Sequence, residues 1–441
     1  MKNSIKISRQ IQSFNKSINV EGDKSLSIRW ALLASQAKGK SISQNLLRSE
    51  DVLNTLKCLK KLGIKIILKK KTCEIIGNGL NGFKYKKKII LDAGNSGTLG
   101  RLILGLLVHS KNKIILKGDK SLSKRDFLRV TNPLQKFGAR FKTTNGKLPI
   151  TIIGTKTPKK IQYKETKGSA QCKSSVMLAA INTPGKTIIK AKKSRDHSEI
   201  LFKYLNLQIK IKKNKNFDLI QIIGGKPIKP FNYKVPSDLS SSAFFIVLTA
   251  LSKNSKLKIK NVNLNPSRVG VLKILKKMNV KFELRNKKIY KGEKIGDIFV
   301  YSSKNLRSIK CPVSLNSAAI DEFLLIFLVA AKANGISYFR GLSELNQKES
   351  PRLFWGSKIL DKIGIKNEVS NNNIKIFGNP NLSLKKDIYI KKFLKDHRVF
   401  MASTVAALTF GGNWKINDKD SIKTSFPSFL KILKSLGAKI N

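Results

Sequence analysis

The chain has 441 residues, too many for one ordinary compact core, and its 41% hydrophobic content is enough to bury two. Its 88 Lys and Arg against 26 Asp and Glu give a formal charge of +62. The lysines are spread through nearly every segment beside Ile and Asn, and runs such as Lys69 to Lys71 and Lys86 to Lys88 carry no interleaved aromatics. That distribution favours genome bias on solvated faces over a dedicated polyanion surface, so no specific nucleic-acid partner is expected and such binding is left as a side activity, and it leaves a field that attracts small anions.

Along the chain, a helical pattern closed by Leu-x-x-hydrophobic-Gly recurs at Leu59 to Gly63, Leu134 to Gly138, Leu360 to Gly364 and Leu433 to Gly437. Leu275 to Asn279 is a variant and Leu205 to Ile209 a weaker copy. Gly and Asn both tolerate the left-handed conformation that ends a helix. Short alternating segments follow, such as Ile64 to Leu68, Val280 to Leu284 and Ala438 to Ile440, and these predict strands. The spacing of about seventy residues fits six helix-then-strand units in this length.

Between the stops lie six segments that are apolar nearly all round: Ser27 to Ala37, Thr98 to Val108, Ser174 to Ile181, Ser240 to Leu251, Glu322 to Ala333 and Val399 to Leu408. A helix without a polar face is a buried helix. The sequence therefore predicts repeated α/β units with internal helices.

Several of these helices start at cationic motifs. In Gly22-Asp23-Lys24-Ser25-Leu26-Ser27-Ile28-Arg29, Ser25 and Arg29 share a helix face and Lys24 stands at the same end as the free first-turn amides. Gly94 to Arg101, Ser121 to Arg125, Gly168 to Ser174, Ser194 to His197 and Asp396 to Arg398 follow. Thr98 and Ser25 are the expected caps of the first two helices. Acids enter at Asp321-Glu322 and at Glu349, within Lys348-Glu349-Ser350-Pro351-Arg352. A helix N-terminus with added cations suits an anion. Taken singly, each start is equally explained by ordinary capping with solvated charges.

Taken together they carry a resemblance. GDKSLSIR, GNSGTLGR, SLSKRDFLRVTNPLQKFGA, GSAQCKS, SRDHSE, VPSDLSSSAFF, NPSRVGVL, IDEFLL, KESPRL, DHRVFMA and TSFPSFL stand in the order in which the EPSP synthase (3-phosphoshikimate 1-carboxyvinyltransferase) family carries its motifs, from Gly22 to Leu430. The resemblance implies an α/β fold of two similar domains. Each would hold three βαβαββ units with buried helices and outer sheets, an inside-out α/β barrel. Residues 1–22 and 238–441 would form the domain with both termini and 23–237 an inserted domain. The active site would lie in the cleft between them.

By matching motif, the resemblance assigns Lys24, Ser25, Arg29, Ser169, Ala170, Gln171, Arg195, Asp321 and Lys348 to shikimate 3-phosphate. It assigns Lys24, Gly97, Arg125, Gln171, Arg352 and Arg398 to phosphoenolpyruvate. The implied reaction moves the enolpyruvyl group to the 5-hydroxyl of shikimate 3-phosphate through a tetrahedral intermediate. Asp321 would be base on the hydroxyl, Glu349 acid and base at C3, and Lys24 the aid to phosphate departure. Gly97 would leave room for glyphosate. The related transferase acting on UDP-N-acetylglucosamine is the alternative, but it typically has a Cys in its arginine loop, and Gly118 to Arg125 contains none.

The chain departs from the family's usual residues at Ile28, Asp126, Ser237, Leu239, Asn346, Gln347 and Pro351, and Thr424 stands where some members have Lys. No cofactor and no metal are expected, since the cations would stabilise charge themselves. Cys58, Cys73, Cys172 and Cys311 lie too far apart for a zinc motif or a disulfide scaffold. The longest apolar runs fall short of the roughly 20 residues that a bilayer requires, and the first twenty residues hold no continuous apolar segment. The expectation is a cytoplasmic monomer with small anionic substrates and no membrane partner.

Overall fold

The computed structural model describes residues 3–86, 88–391 and 395–441. The chain divides into two compact units: unit 1 is Met1–Glu21, Pro236–Ile289 and Lys294–Asn441, and unit 2 is Gly22–Val235 with Tyr290–Glu293.

In unit 2 the helices Lys24–Ser35, Gly97–Leu106 and Ala170–Ile181 form the interior; in the first, every residue from Leu26 to Ser35 is buried. The more amphipathic Glu50–Lys61, Leu128–Gln135 and His197–Tyr204 each bury only part of their surface. Unit 1 repeats this plan with Leu239–Leu251, Phe323–Ala331 and His397–Phe410, all buried from end to end. These sequences offer no polar stripe, so only a site surrounded by other elements satisfies them.

The sheets lie outside the helices. Among the described residues there are six, three to a unit, and none closes on itself. In unit 2, Gln162–Glu165 pairs in parallel with Gly185–Lys192, which runs antiparallel to Phe217–Gly224, itself antiparallel to Ile209–Lys213. One parallel crossover followed by a hairpin recurs in the other two sheets of this unit. Alternation along the strands turns Ile, Leu or Ala inward and Lys outward, as in Lys186, Lys190 and Lys192 of Gly185–Lys192.

The helix stops behave as the repeat predicts. Gly63, Gly138, Gly364 and Gly437 have φ of 82°, 103°, 76° and 101°, and Asn206 and Asn279 have 53° and 64°. Two details differ. Five of the six buried helices begin one to four residues earlier than expected, with caps at Asp23, Ser96, Ser169, Asp238 and Asp396 rather than at Ser25 or Thr98. Ala438 to Ile440 is not a ladder strand. The N-terminal Ser4–Ile7 occupies the position beside Gly411–Asn417, and the tail reaches it only through the mutual Lys6 and Asn441 backbone bonds of 2.7 and 3.1 Å.

All four cysteines are buried and free, and burial pushes the Cys58, Cys73 and Cys311 thiols up to about 11, 12 and 11. Among the described residues no single helix is long and apolar enough to cross a membrane.

Candidate active site

In unit 2 the starts of the buried helices converge. Asp23 accepts from the Leu26 amide at 2.9 Å, which fixes the first turn carrying Lys24 and Ser25. One turn on, Arg29 donates to Ser198 Oγ at 2.8 Å and Ser174 Oγ at 3.0 Å, and those hydroxyls lie 2.7 Å apart. Arg29 thereby ties Lys24–Ser35 to Ala170–Ile181 and His197–Tyr204. The Lys24 ammonium rests 3.0 Å from Asp51.

The Gly168-Ser169 loop is shaped by Glu165, which accepts from the Lys167 and Gly168 amides at 3.1 and 2.7 Å. Ser169 then caps Ala170–Ile181, and Ala170 and Gln171 occupy its half-buried first turn. The Gln171 carbonyl accepts from Arg101 Nη1 at 2.8 Å and its amide donates to Thr98 Oγ1 at 3.1 Å. Arg125 donates to Asn95 Oδ1 at 3.0 Å. At Gly97 a Cβ would stand 2.9 Å from Arg101 and 3.1 Å from Arg125, so the absent side chain lets two guanidinium groups approach the backbone. Burial, then the neighbouring Arg125 and Arg129, draw the Arg101 guanidinium down to about 10 despite Cys172 and Asp126. Arg195 is half-buried on the loop before His197–Tyr204.

Unit 1 assembles a different cluster around Arg352, whose side chain is 2% exposed. Its Nε donates to Asp396 Oδ2 at 2.9 Å, Nη1 lies 3.4 Å from Asp321 Oδ1, and Nη2 bonds Glu349 closely and Asp396 Oδ1 at 3.3 Å. Burial alone would weaken the Arg352 charge, yet Asp396, Glu349 and Asp321 raise its pKa above the ordinary arginine value. Burial likewise opposes ionisation of Asp396, and Arg352 nonetheless holds that carboxyl below its usual range. Lys348 lies 3.3 Å from Asp321, and Arg398 donates to the Asp321 carbonyl at 2.8 Å.

Local sequence explains these placements. Asp396 accepts from the Arg398 amide at 2.9 Å and from Ser350 Oγ at 2.8 Å, joining DHR to KESPR. Pro351 occupies the N-cap position of Arg352–Lys362 without a capping bond, and Asn346 accepts from the Leu353 amide at 3.3 Å, so of the three departures there Asn346 supports the helix start directly. Ile28 lies in the core, Asp126 accepts from the Leu128 amide at 2.8 Å, and Ser237 donates to the Val20 and Lys260 carbonyls. Lys423 pairs with Asp420 at 2.8 Å, while Thr424 stands 3.3 Å from His397. Among the described residues no group of three or more His, Cys, Asp or Glu is arranged to hold a metal ion.

Sequence reasoning missed Asp51, Asn95, Arg101, Ser174, Ser198 and Asp396 as members of these clusters. Asn95, Arg101, Ser174, Ser198 and Asp396 lay inside the motifs that carry the resemblance, which was the available signal; Asp51 had none.

The fold is that of the enolpyruvyl transferases. The structure superposes on the enolpyruvyl transferase NikO from Streptomyces tendae with a TM-score of 0.77 at 14% identity, over 100% of this chain and 98% of that one. EPSP synthase from Acinetobacter baumannii matches with a TM-score of 0.87 and 33% identity, over 100% and 99%. The sequence profile of EPSP synthase (3-phosphoshikimate 1-carboxyvinyltransferase) covers residues 8–433. The 3-phosphoshikimate 1-carboxyvinyltransferase of Ruthia magnifica subsp. Calyptogena magnifica is 40% identical over 97% of both chains. That of Zymomonas mobilis is 37% identical over 98% of this chain and 96% of its own. The chain belongs to the EPSP synthase family.

Proposed function

We propose that the chain transfers the enolpyruvyl group of phosphoenolpyruvate to the 5-hydroxyl of shikimate 3-phosphate, releasing phosphate, and that the two clusters supply its binding and catalytic groups. The observation that carries this reading is the single buried guanidinium of Arg352 bonded to Asp321, Glu349 and Asp396. Two of those carboxylates keep part of their side chains exposed, 14% for Asp321 and 17% for Glu349, while Asp396 is fully buried. A reaction that must take a proton from a hydroxyl and exchange one at a carbon needs two such groups.

Lys24, Ser25, Arg29, Ser169, Ala170, Gln171 and Arg195 hold shikimate 3-phosphate together with Asp321 and Lys348. Lys24, Gly97, Arg125, Gln171, Arg352 and Arg398 hold phosphoenolpyruvate, whose carboxylate and phosphate suit planar guanidinium forks. Asp321 takes the proton of the hydroxyl as its oxygen attacks C2. C3 gains a proton from Glu349, giving the tetrahedral intermediate. Return of that proton to Glu349 accompanies loss of phosphate, whose negative charge Lys24 meets. Since every Arg352 nitrogen is engaged, phosphoenolpyruvate reaches this arginine by displacing Glu349, which frees Glu349 for its proton transfers. We read the chain as a cytoplasmic monomer in the shikimate pathway.

The test is phosphate release with shikimate 3-phosphate plus phosphoenolpyruvate. Release with UDP-N-acetylglucosamine as acceptor, and none with shikimate 3-phosphate, would replace this reading with the alternative one.

A further inference from the structure

Asp321 and Glu322 are adjacent, yet their side chains have opposite surroundings. Asp321 keeps some exposure beside Lys348, whereas the Glu322 side chain is 2% exposed. A buried carboxylate persists only where partners compensate its lost hydration. Glu322 Oε1 accepts a short bond from Ser240 Oγ and lies 3.7 Å from Arg398 Nη1. Ser240 Oγ spends its one proton on Glu322 and accepts from Arg268 Nη2 at 2.6 Å. Arg268, 4% exposed at its side chain, lies 3.6 Å from Asp238, whose carboxylate caps Leu239–Leu251. These five side chains form one row within unit 1, from the start of that helix to Arg398.

We propose that Glu322 is the positioning residue for Arg398, fixing its guanidinium for the phosphoenolpyruvate carboxylate, with Ser240 and Arg268 holding Glu322 in turn. The proposal rests on the reading that Arg398 binds the donor. Both tethers of Arg398, the Glu322 carboxylate and the Asp321 carbonyl, engage Nη1, so the 321–322 dipeptide sets the orientation of the whole planar group. The same two residues thus place the hydroxyl base and aim a donor-binding cation. Removing the Glu322 charge also raises the local positive potential, which favours an anion. Loss of fork geometry outweighs that gain, because a two-bond grip on a carboxylate depends on orientation as well as charge.

The experiment is steady-state kinetics of Glu322→Gln, Ser240→Ala and Arg398→Lys with both substrates varied, beside thermal unfolding. Glu322→Gln is expected to raise KM for phosphoenolpyruvate about tenfold while KM for shikimate 3-phosphate stays within about twofold. Ser240→Ala should shift the same constant in the same direction by about threefold. A merely structural role would lower Tm and the active fraction without separating the two KM values. An unchanged or lowered KM for phosphoenolpyruvate in Glu322→Gln overturns the proposal. Should that variant not fold, the same result in Ser240→Ala does so. If Arg398→Lys also leaves this KM unchanged, donor binding by Arg398 fails as well; if it raises KM while the other two do not, only the positioning role falls.

Discussion

In unit 2 the site arginines donate to neutral oxygens: Arg29 to Ser174 and Ser198, Arg101 to Gln171, and Arg125 to Asn95. In unit 1 Arg352 donates to carboxylates, and Lys348 and Arg398 lie against Asp321 and Glu322. Bonds to hydroxyl and amide oxygens orient a guanidinium without cancelling its charge, whereas Lys24 in the same unit is paired with Asp51. A guanidinium shared among carboxylates uses part of its charge to hold them in place, and Asp396 is kept below its usual carboxylate range. Both sets read as cationic in the sequence; we take the first to serve anion binding and the second, besides binding anions through Lys348, Arg352 and Arg398, to hold the proton-transfer groups.

The largest effect expected from this contrast is at Arg352. Arg352→Met leaves a fully buried Asp396 without its main partner, which should cost about 3–5 kcal/mol in denaturant unfolding. Turnover should fall about a thousandfold or more, since both half-exposed acids lose their common anchor. Next comes Asp321→Ala, with kcat reduced by about 10²–10⁴ while calorimetry shows shikimate 3-phosphate binding largely retained. Near-normal kcat there would remove the base assignment. Arg29→Lys should act on binding instead. The lysine lacks the planar fork whose Nε and Nη2 bond the two hydroxyls separately, so KM for shikimate 3-phosphate should rise about tenfold with kcat changed only a few-fold. If kcat drops as far as in Asp321→Ala, the division between the clusters is wrong.

The smallest effect concerns pH. Burial draws His109 in unit 2 down to about 4, so between about 6.5 and 4 the unfolded chain binds the extra proton and stability falls as pH falls. Asp396 in unit 1 has a lowered pKa, so its contribution is complete above about 3.9 and is lost only below that. Amide protection factors, corrected for the intrinsic pH dependence of exchange, should therefore fall in unit 2 before unit 1 as pH is lowered from about 7, and the reverse order would contradict the assignment.

The six buried helices and their glycine or asparagine stops were legible because an all-apolar face and a left-handed stop are local properties. Helix starts were less so. Asp23 and Ser96 win the capping positions over Ser25 and Thr98 through side-chain bonds to Leu26 and Leu99, and several nearby polar residues compete for such roles. The strand expected at Ala438 to Ile440 is reduced to one reciprocal pair of backbone bonds between Asn441 and Lys6 of Ser4–Ile7, a partner from the far end of the chain. Motif order supplied most of the residues that the two clusters bring together. It could not reveal that Asp396, 44 residues from Arg352, is that arginine's buried partner, or that Ser174 and Ser198 share Arg29. Such pairs exist only once remote helices pack.

The chain leaves and re-enters unit 1 at neighbouring points: Ser237 Oγ bonds the Val20 carbonyl at 2.8 Å and the Asp238 amide bonds the Glu21 carbonyl at 3.0 Å. The two ends that flank the inserted segment thus lie within hydrogen-bond reach of each other, so a short peptide bridging Val20 to Ser237 would delete it without stretching the chain around it. Tyr290–Glu293, which belongs to the inserted unit, would lose its company in such an excised protein and should become the part most open to proteases.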